Sequence, residues 1–252
     1  MRKDLPWNEC FKGKTVVVPD EKHGGLPTHW LAGGLKLTLL SPTWKELVAL
    51  DSEWIRESFG QGRIPGEEVA TLKTWPPRIR DLDVTSFIKD TSLANGSSIA
   101  VLVEFAGRRC LLAGDAFADT LVASLKRLPG VRGRLRLDAF KLPHHASKAN
   151  VNDALLQAVK CSRYLVSTNG MYFNHPDEEA IKRLFLNVGE RLEICFNYRT
   201  RTTQRWEIST PLPGTPVKKY QSVYPSSSEG GLVVQLAGKS FRARGQHRSR
   251  AR

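Results

Sequence analysis

Three stretches carry the residues best suited to chemistry. In "CLLAGDA" the carboxylate of Asp115 follows Gly114 directly after an apolar run, in "FKLPHHASK" the imidazoles of His144 and His145 close another, and in "NGMYFNHPDEE" His175 stands before an acidic, helix-like pattern. A carboxylate has two oxygens and can bridge two cations. A neutral imidazole ligates zinc, with its second nitrogen held by a carbonyl or carboxylate. His175, beside a helix N-terminus, is placed to meet an anionic group such as phosphate, and Lys148 can do the same or stay solvated. Each has a plainer reading. Asp115 can cap the helix that follows it, the histidine pair can be ordinary loop residues, and Asn174 can cap the turn beside His175. Adjacent histidines at the end of an extended strand are expected on opposite sides of the chain. His23, His29 and His247 have no partners at ligand spacing.

The elements that must position these residues follow from periodicity. "KTVVVPD" (14–20) and "LKLTLL" (35–40) read as strands, and "TWKELVALDSEWIRESF" (43–59) as an amphipathic helix with the capping-box spacing Thr43 to Glu46. Residues 60–92 are rich in Pro, Gly and charge and read as a long loop. A hairpin is expected over 99–113, turning at Gly107, then a helix in "FADTLVASLKRL" and one internal strand in "LRLDAFKLPHH". A short helix capped by Asn150 or Asn152 follows, then the strand "RYLVSTNG" and a helix with Pro176 in its first turn. "RLEICFNY" and "TQRWEIST" read as a closing hairpin, and "GLVVQLAG" as one last strand. The order is that of an α/β layered domain with mixed strand directions, in which sites gather at strand ends. Gly114-Asp115, His144-His145 and the Asn169–His175 segment all fall at such ends.

The totals narrow the class. The chain has 252 residues, 40% of them hydrophobic and 25% charged, enough for a core of ordinary size. No apolar run reaches membrane-spanning length, and no apolar segment follows the basic start, so neither a membrane partner nor a secretory leader is expected. Cys10, Cys110, Cys161 and Cys195 are widely separated and form no Cys-x-x-Cys pair. Reduced cysteines and a cytoplasmic setting are therefore expected. The net charge is +13, which attracts polyanions. Part of it lies in the tail "GKSFRARGQHRSRAR", read as disordered or as a non-specific nucleic-acid arm.

In combination, "NGSSIAVLVEFAGRRCLLAGDA", "FKLPHHASK" and "YLVSTNGMYFNHPDEEAIKRL" resemble the metallo-β-lactamase-fold hydrolases. The likeness is to the soluble relatives of the hydrolase domain of ComEC, and it spans roughly 92–190. It implies an αββα layered sandwich and zinc as cofactor, two ions in the complete fold. It also implies hydrolysis of a phosphodiester or other ester-like bond by a zinc-bound hydroxide. By the same resemblance Asp115 is the bridging metal ligand, His144 or His145 the last histidine ligand, and His175 a residue close to substrate. Ala146 stands where the family pattern His-His-Gly-Ser has glycine. The family's His-x-His/Asp-x-Asp-His motif has no match in residues 1–90. The chain is therefore expected to be the N-terminally incomplete, C-terminal two-thirds of such a domain over 1–236, with a basic tail over 237–252. The alternative is an inactive module of the same fold that binds nucleic acid or another partner. A phosphate-bearing substrate, nucleic acid among them, is the expected partner class.

Overall fold

The computed structural model describes residues 8–51, 84–226 and 231–236. The expectations for 52–59, for 60–83 of the long loop, for His247 and for the tail from 237 lie outside the described residues.

The elements run, in order, β1 (Thr28–Trp30), β2 (Lys36–Ser41), the helical residues 44–51 (α1), α2 (Leu93–Gly96), β3 (Ala100–Phe105), β4 (Arg108–Leu112) and α3 (Ala118–Lys126). There follow β5 (Leu135–Arg136), β6 (Ala139–Lys141), α4 (Asp153–Ala158), β7 (Val159–Lys160), β8 (Arg163–Val166), α5 (Glu178–Asn187), β9 (Arg191–Phe196), α6 (Arg201–Gln204) and β10 (Lys219–Val223). Eight strands form one mixed sheet in the order β1-β2-β3-β4-β6-β8-β9-β10, and β5 pairs with β7. The first four are antiparallel neighbours. From β4 onward the pairs β4–β6, β6–β8, β8–β9 and β9–β10 are parallel.

This topology follows from the chain order. A helix separates β4 from β6, β6 from β8 and β8 from β9, and each new strand adds beside the last. Crossovers of one hand then place α3, α4 and α5 on the same face. There Leu102, Leu111, Phe140, Tyr164 and Ile194 of the sheet are buried with Leu121, Leu155 and Leu184 of the helices. Each such side chain removed from water contributes about 1.5–3 kcal/mol. The other face is less covered: Val101, Val103 and Cys110 are half-buried and Leu112 is exposed. The molecule is thus an α/β fold with a large mixed sheet flanked by helices. A second large sheet, as in a four-layer sandwich, is not among the described residues.

Several elements match the sequence reading. The 99–113 hairpin forms with Val101 opposite Leu112 and Gly107 at φ 75° in its turn. Thr43 precedes α1 and its backbone N–H donates to Glu46 Oε2 at 2.9 Å. Of the two candidate caps for α4, Asn152 is the one used, accepting from Leu155 N at 2.9 Å.

Others differ for identifiable reasons. "KTVVVPD" gives only a single bridge, Val18 to Thr43, because Pro19 has no N–H to extend a ladder. β1 forms in a stretch whose Gly and Pro content reads as turns. "LRLDAFKLPHH" is not one strand. Asp138 interrupts it, its carboxylate accepting from Arg109 N and Arg108 Nη1, each at 2.9 Å. The closing hairpin does not form. Thr200 and Thr203 make a capping box that turns 201–204 into α6, Trp206 is fully buried, and β9 pairs instead with β10, from the polar "KYQSV". Residues 231–236 form no assigned strand, although Arg163 Nη1 donates to Gln235 O at 3.0 Å. Pro176 lies outside α5, which Asp177 opens as N-cap.

Candidate active site

The parallel strands β4, β6, β8 and β9 end at one edge of the sheet, where successive loops must meet. Asp115 follows β4, His144 and His145 follow β6, His175 lies in the loop after β8, and Asn197 and Tyr198 follow β9. The three imidazole rings stand together, with centroid separations of 6.1 Å for His144–His145, 5.4 Å for His144–His175 and 6.2 Å for His145–His175.

The loop after β4 depends on glycine. Gly114 has φ 56°, and a Cβ there would lie 2.7 Å from Ile99 O and 2.8 Å from Ser98 Oγ, closer than real contacts allow. The turn presents Asp115, whose N–H donates to Ser98 Oγ at 3.0 Å and whose carbonyl accepts from Asn150 Nδ2 at 3.2 Å. Asp115 does not cap α3; the N-cap is Phe117.

The histidine pair is not extended. His144, His145 and Ala146 have φ of 42°, 53° and 63°, so strand alternation does not apply and both rings feel the Asp115 charge. Left-handed backbone costs a non-glycine residue about 1–2 kcal/mol, and Ala146 meets that cost where the resembled pattern has glycine. Such runs persist where surrounding contacts over-determine them. Here His144 N donates to Gly114 O at 3.0 Å and Ser147 N to His144 O at 2.7 Å.

The two imidazoles have opposite surroundings. His144 Nδ1 lies 3.0 Å from Asn150 Oδ1 and 3.3 Å from Asp90 Oδ2. Burial disfavours its charge, but the hydrogen bonds to Asp90 and Asn150 and the Asp115 and Asp90 charges outweigh this and raise its pKa. His145 Nδ1 hydrogen-bonds to the carbonyl of Ser167. Burial, aided by Lys141 and His175, lowers its pKa despite that bond and the Asp115 charge. His145 is thus held toward its neutral form, with the proton on Nδ1, the nitrogen that faces the carbonyl. Paired groups with pKa values driven apart suit acid and base roles.

His175 and His145 line a cleft of about 320 Å³ with Asn169, Tyr172, Asn197 and Tyr198. His175 is buried, and its Nδ1 has no hydrogen-bond partner; the nearest acid, Asp177 Oδ2, is 3.6 Å away. Asp177 accepts instead from Lys148 N at 2.8 Å, and Lys148 Nζ pairs with Glu179 at 3.0 Å. Asn174, at φ 55°, is not the cap of α5. Gly170 allows the cleft wall to close, since a Cβ there would meet Thr202 Oγ1 at 2.3 Å.

Sequence reasoning missed Asp90, Asn95, Asn150, Ser167 and Lys141. Lys141 Nζ lies 3.5 Å from Gly114 O. Burial lowers its pKa and the Asp115 charge opposes this. Its signal was a lysine inside the apolar run "AFKL". Asp90 had a signal in "DTSLANGSS", where Ser92 N donates to Asp90 Oδ1 at 2.9 Å and Ser92 caps α2. The Ser167 carbonyl and the reach of Asn150 across the site have no side-chain signature in sequence.

Among the described residues, no group of three or more His, Cys, Asp or Glu side chains is arranged to hold a metal ion, and no helix is long and apolar enough to cross a membrane. The described cysteines, Cys10, Cys110, Cys161 and Cys195, are free thiols. No family model matches this chain, and no curated protein matches it.

Proposed function

We propose that this chain is a hydrolase domain of metallo-β-lactamase type, acting on a phosphodiester or other ester-like bond at the imidazole cluster. The observation that carries the reading is the convergence of His144, His145 and His175, with ring centroids 5.4–6.2 Å apart, on the Asp115 loop at the ends of parallel strands. The quoted motifs supply the family, and the positive charge of the chain favours a phosphate-bearing substrate.

The zinc pair implied by the resemblance does not fit the described residues as they stand. A catalytic zinc takes three protein ligands and a water, and no such three-fold group is present among them. The roles below therefore rest on the side chains alone. His145, neutral and on the cleft, accepts a proton from water through Nε2. His144, held toward its charged form beside Asp90, is the matching donor. Lys141 and the imidazolium offset negative charge developing on the substrate.

The test is hydrolysis of bis(p-nitrophenyl) phosphate and p-nitrophenyl acetate by the purified chain, with added zinc and with chelator. Turnover that His145→Gln lowers supports the proposal. Absence of turnover under every condition overturns it.

A second reading, a nucleic-acid-binding module of the same fold, is favoured by the net charge of +13 together with the lack of a three-ligand group among the described residues. It predicts oligonucleotide binding that survives chelator and weakens steeply with salt, without turnover.

A further inference from the structure

The polar network behind His144 is complete enough to assign its atoms. Asn150 Nδ2 donates to Asp90 Oδ2 at 2.9 Å and to Asp115 O at 3.2 Å. Both partners are acceptors, so the amide orientation is fixed, and its Oδ1 must be the atom facing His144 Nδ1 at 3.0 Å. Asn95 Nδ2 donates to Asp90 Oδ2 at 2.9 Å, while it stands 3.4 Å from His144 Nδ1. Its better-placed partner is the carboxylate. His144 Nδ1 therefore faces two acceptor oxygens, Asn150 Oδ1 and Asp90 Oδ2, and must carry a proton.

We propose that Asp90 and Asn150 are positioning residues for His144, fixing its proton on Nδ1 and its ring orientation, so that Nε2, the nitrogen on the opposite side of the ring, is left as the unprotonated one in the neutral imidazole. The tautomer of an imidazole is set by the partner of its other nitrogen, and here that partner is a pair of oxygens clamped on three sides. Asp90 is held by Ser92 N, Asn95 and Asn150, and Asn150 is fully buried. Asn150 also joins the two loops: the same amide that orients Asp90 holds the Asp115 carbonyl. The network thus ties the direction of His144 Nε2 to the position of Asp115. This inference rests on the hydrolase reading for its role in turnover, but not for its geometry.

The experiment is nitrogen-15 NMR of the histidine side chains of the full chain at pH 9, where a neutral imidazole shows its tautomer. The wild type is expected to hold His144 as the Nδ1–H form at about nine-tenths or more. Asp90→Asn, which presents an amide donor in place of a carboxylate oxygen, is expected to bring that fraction to about half or below. Turnover of bis(p-nitrophenyl) phosphate should fall about 10- to 100-fold with it, as for other groups acting through a reacting side chain. A merely structural Asp90 would change the melting temperature and leave the tautomer alone. Should Asp90→Asn fail to fold, Asp90→Ala, which removes the carboxylate acceptor, provides the second variant, with the same direction of change expected. A wild-type spectrum dominated by Nε2–H, or variants that fold and keep Nδ1–H, overturns the proposal. If the tautomer behaves as stated and no hydrolysis occurs, the positioning network stands and the hydrolase reading fails.

Discussion

His144 Nδ1 and Asp90 Oδ2 stand 3.3 Å apart, both largely buried, although they arrive from separate loops. The contact couples the segment before α2 to the loop after β6. It also explains why the two adjacent histidines differ: one ring is backed by a carboxylate, the other by a carbonyl.

The first prediction concerns acid. Burial alone would raise the Asp90 carboxyl, but hydrogen bonds from His144, Ser92 N, Asn150 and Asn95 outweigh it and hold the group at about 2, against an ordinary 3.8. A depressed carboxylate stabilises the fold above its unfolded value, and this is lost as pH falls through the folded value. The gap corresponds to about 2 kcal/mol. Urea unfolding of the wild type should lose about that much stability between pH 4 and pH 2, and Asp90→Asn should lose correspondingly less there. Identical pH slopes for the two proteins would contradict this.

The second concerns Gly114. Its φ of 56° and the 2.7 Å approach a Cβ would make to Ile99 O mean that Gly114→Ala must move the β4 loop. A loss of about 2 kcal/mol or more is expected, measured by chemical denaturation, with turnover reduced because Asp115 shifts. Gly107→Ala, at a hairpin turn open to solvent, is expected to cost only about 1 kcal/mol.

The third concerns Arg183. This buried guanidinium donates to Lys148 O at 2.9 Å, Val151 O at 3.0 Å and Ser86 O at 2.8 Å, tying α5 to the loop after the histidines and to the segment that leads to Asp90. Arg183→Met leaves those carbonyls without their donor. A cost of about 2–4 kcal/mol is expected, with faster amide exchange around residues 148–151, read by mass spectrometry. Unchanged protection there would argue against the clip.

Much of the framework was legible because periodicity and turn chemistry are local. The hairpin through Gly107, α3 and the strand "RYLV" with α5 behind it all follow from spacing. So does the gathering of Asp115, His144, His145 and His175 at strand ends, since parallel strands share an edge. What was not legible is long-range. The Asp138 clasp that divides "LRLDAFKL" depends on Arg108 and Arg109 from another strand. β10 is recruited by a parallel edge on β9 that no local pattern announces. The left-handed run at His144–Ala146 is imposed by surrounding contacts against residue preference, so alternation was the wrong rule there. Asp90 falls in a stretch that reads as a loop and Asn150 reads as a candidate helix cap, yet together they support a histidine.

The central claim is that the cluster around His145 is a reaction centre, and the initial rate of bis(p-nitrophenyl) phosphate hydrolysis, compared between the wild type and a folded His145→Gln, tests it most directly. The account predicts measurable wild-type turnover and a loss of about 100-fold or more in the variant, the scale of a removed general base. Equal rates in the two proteins would contradict it.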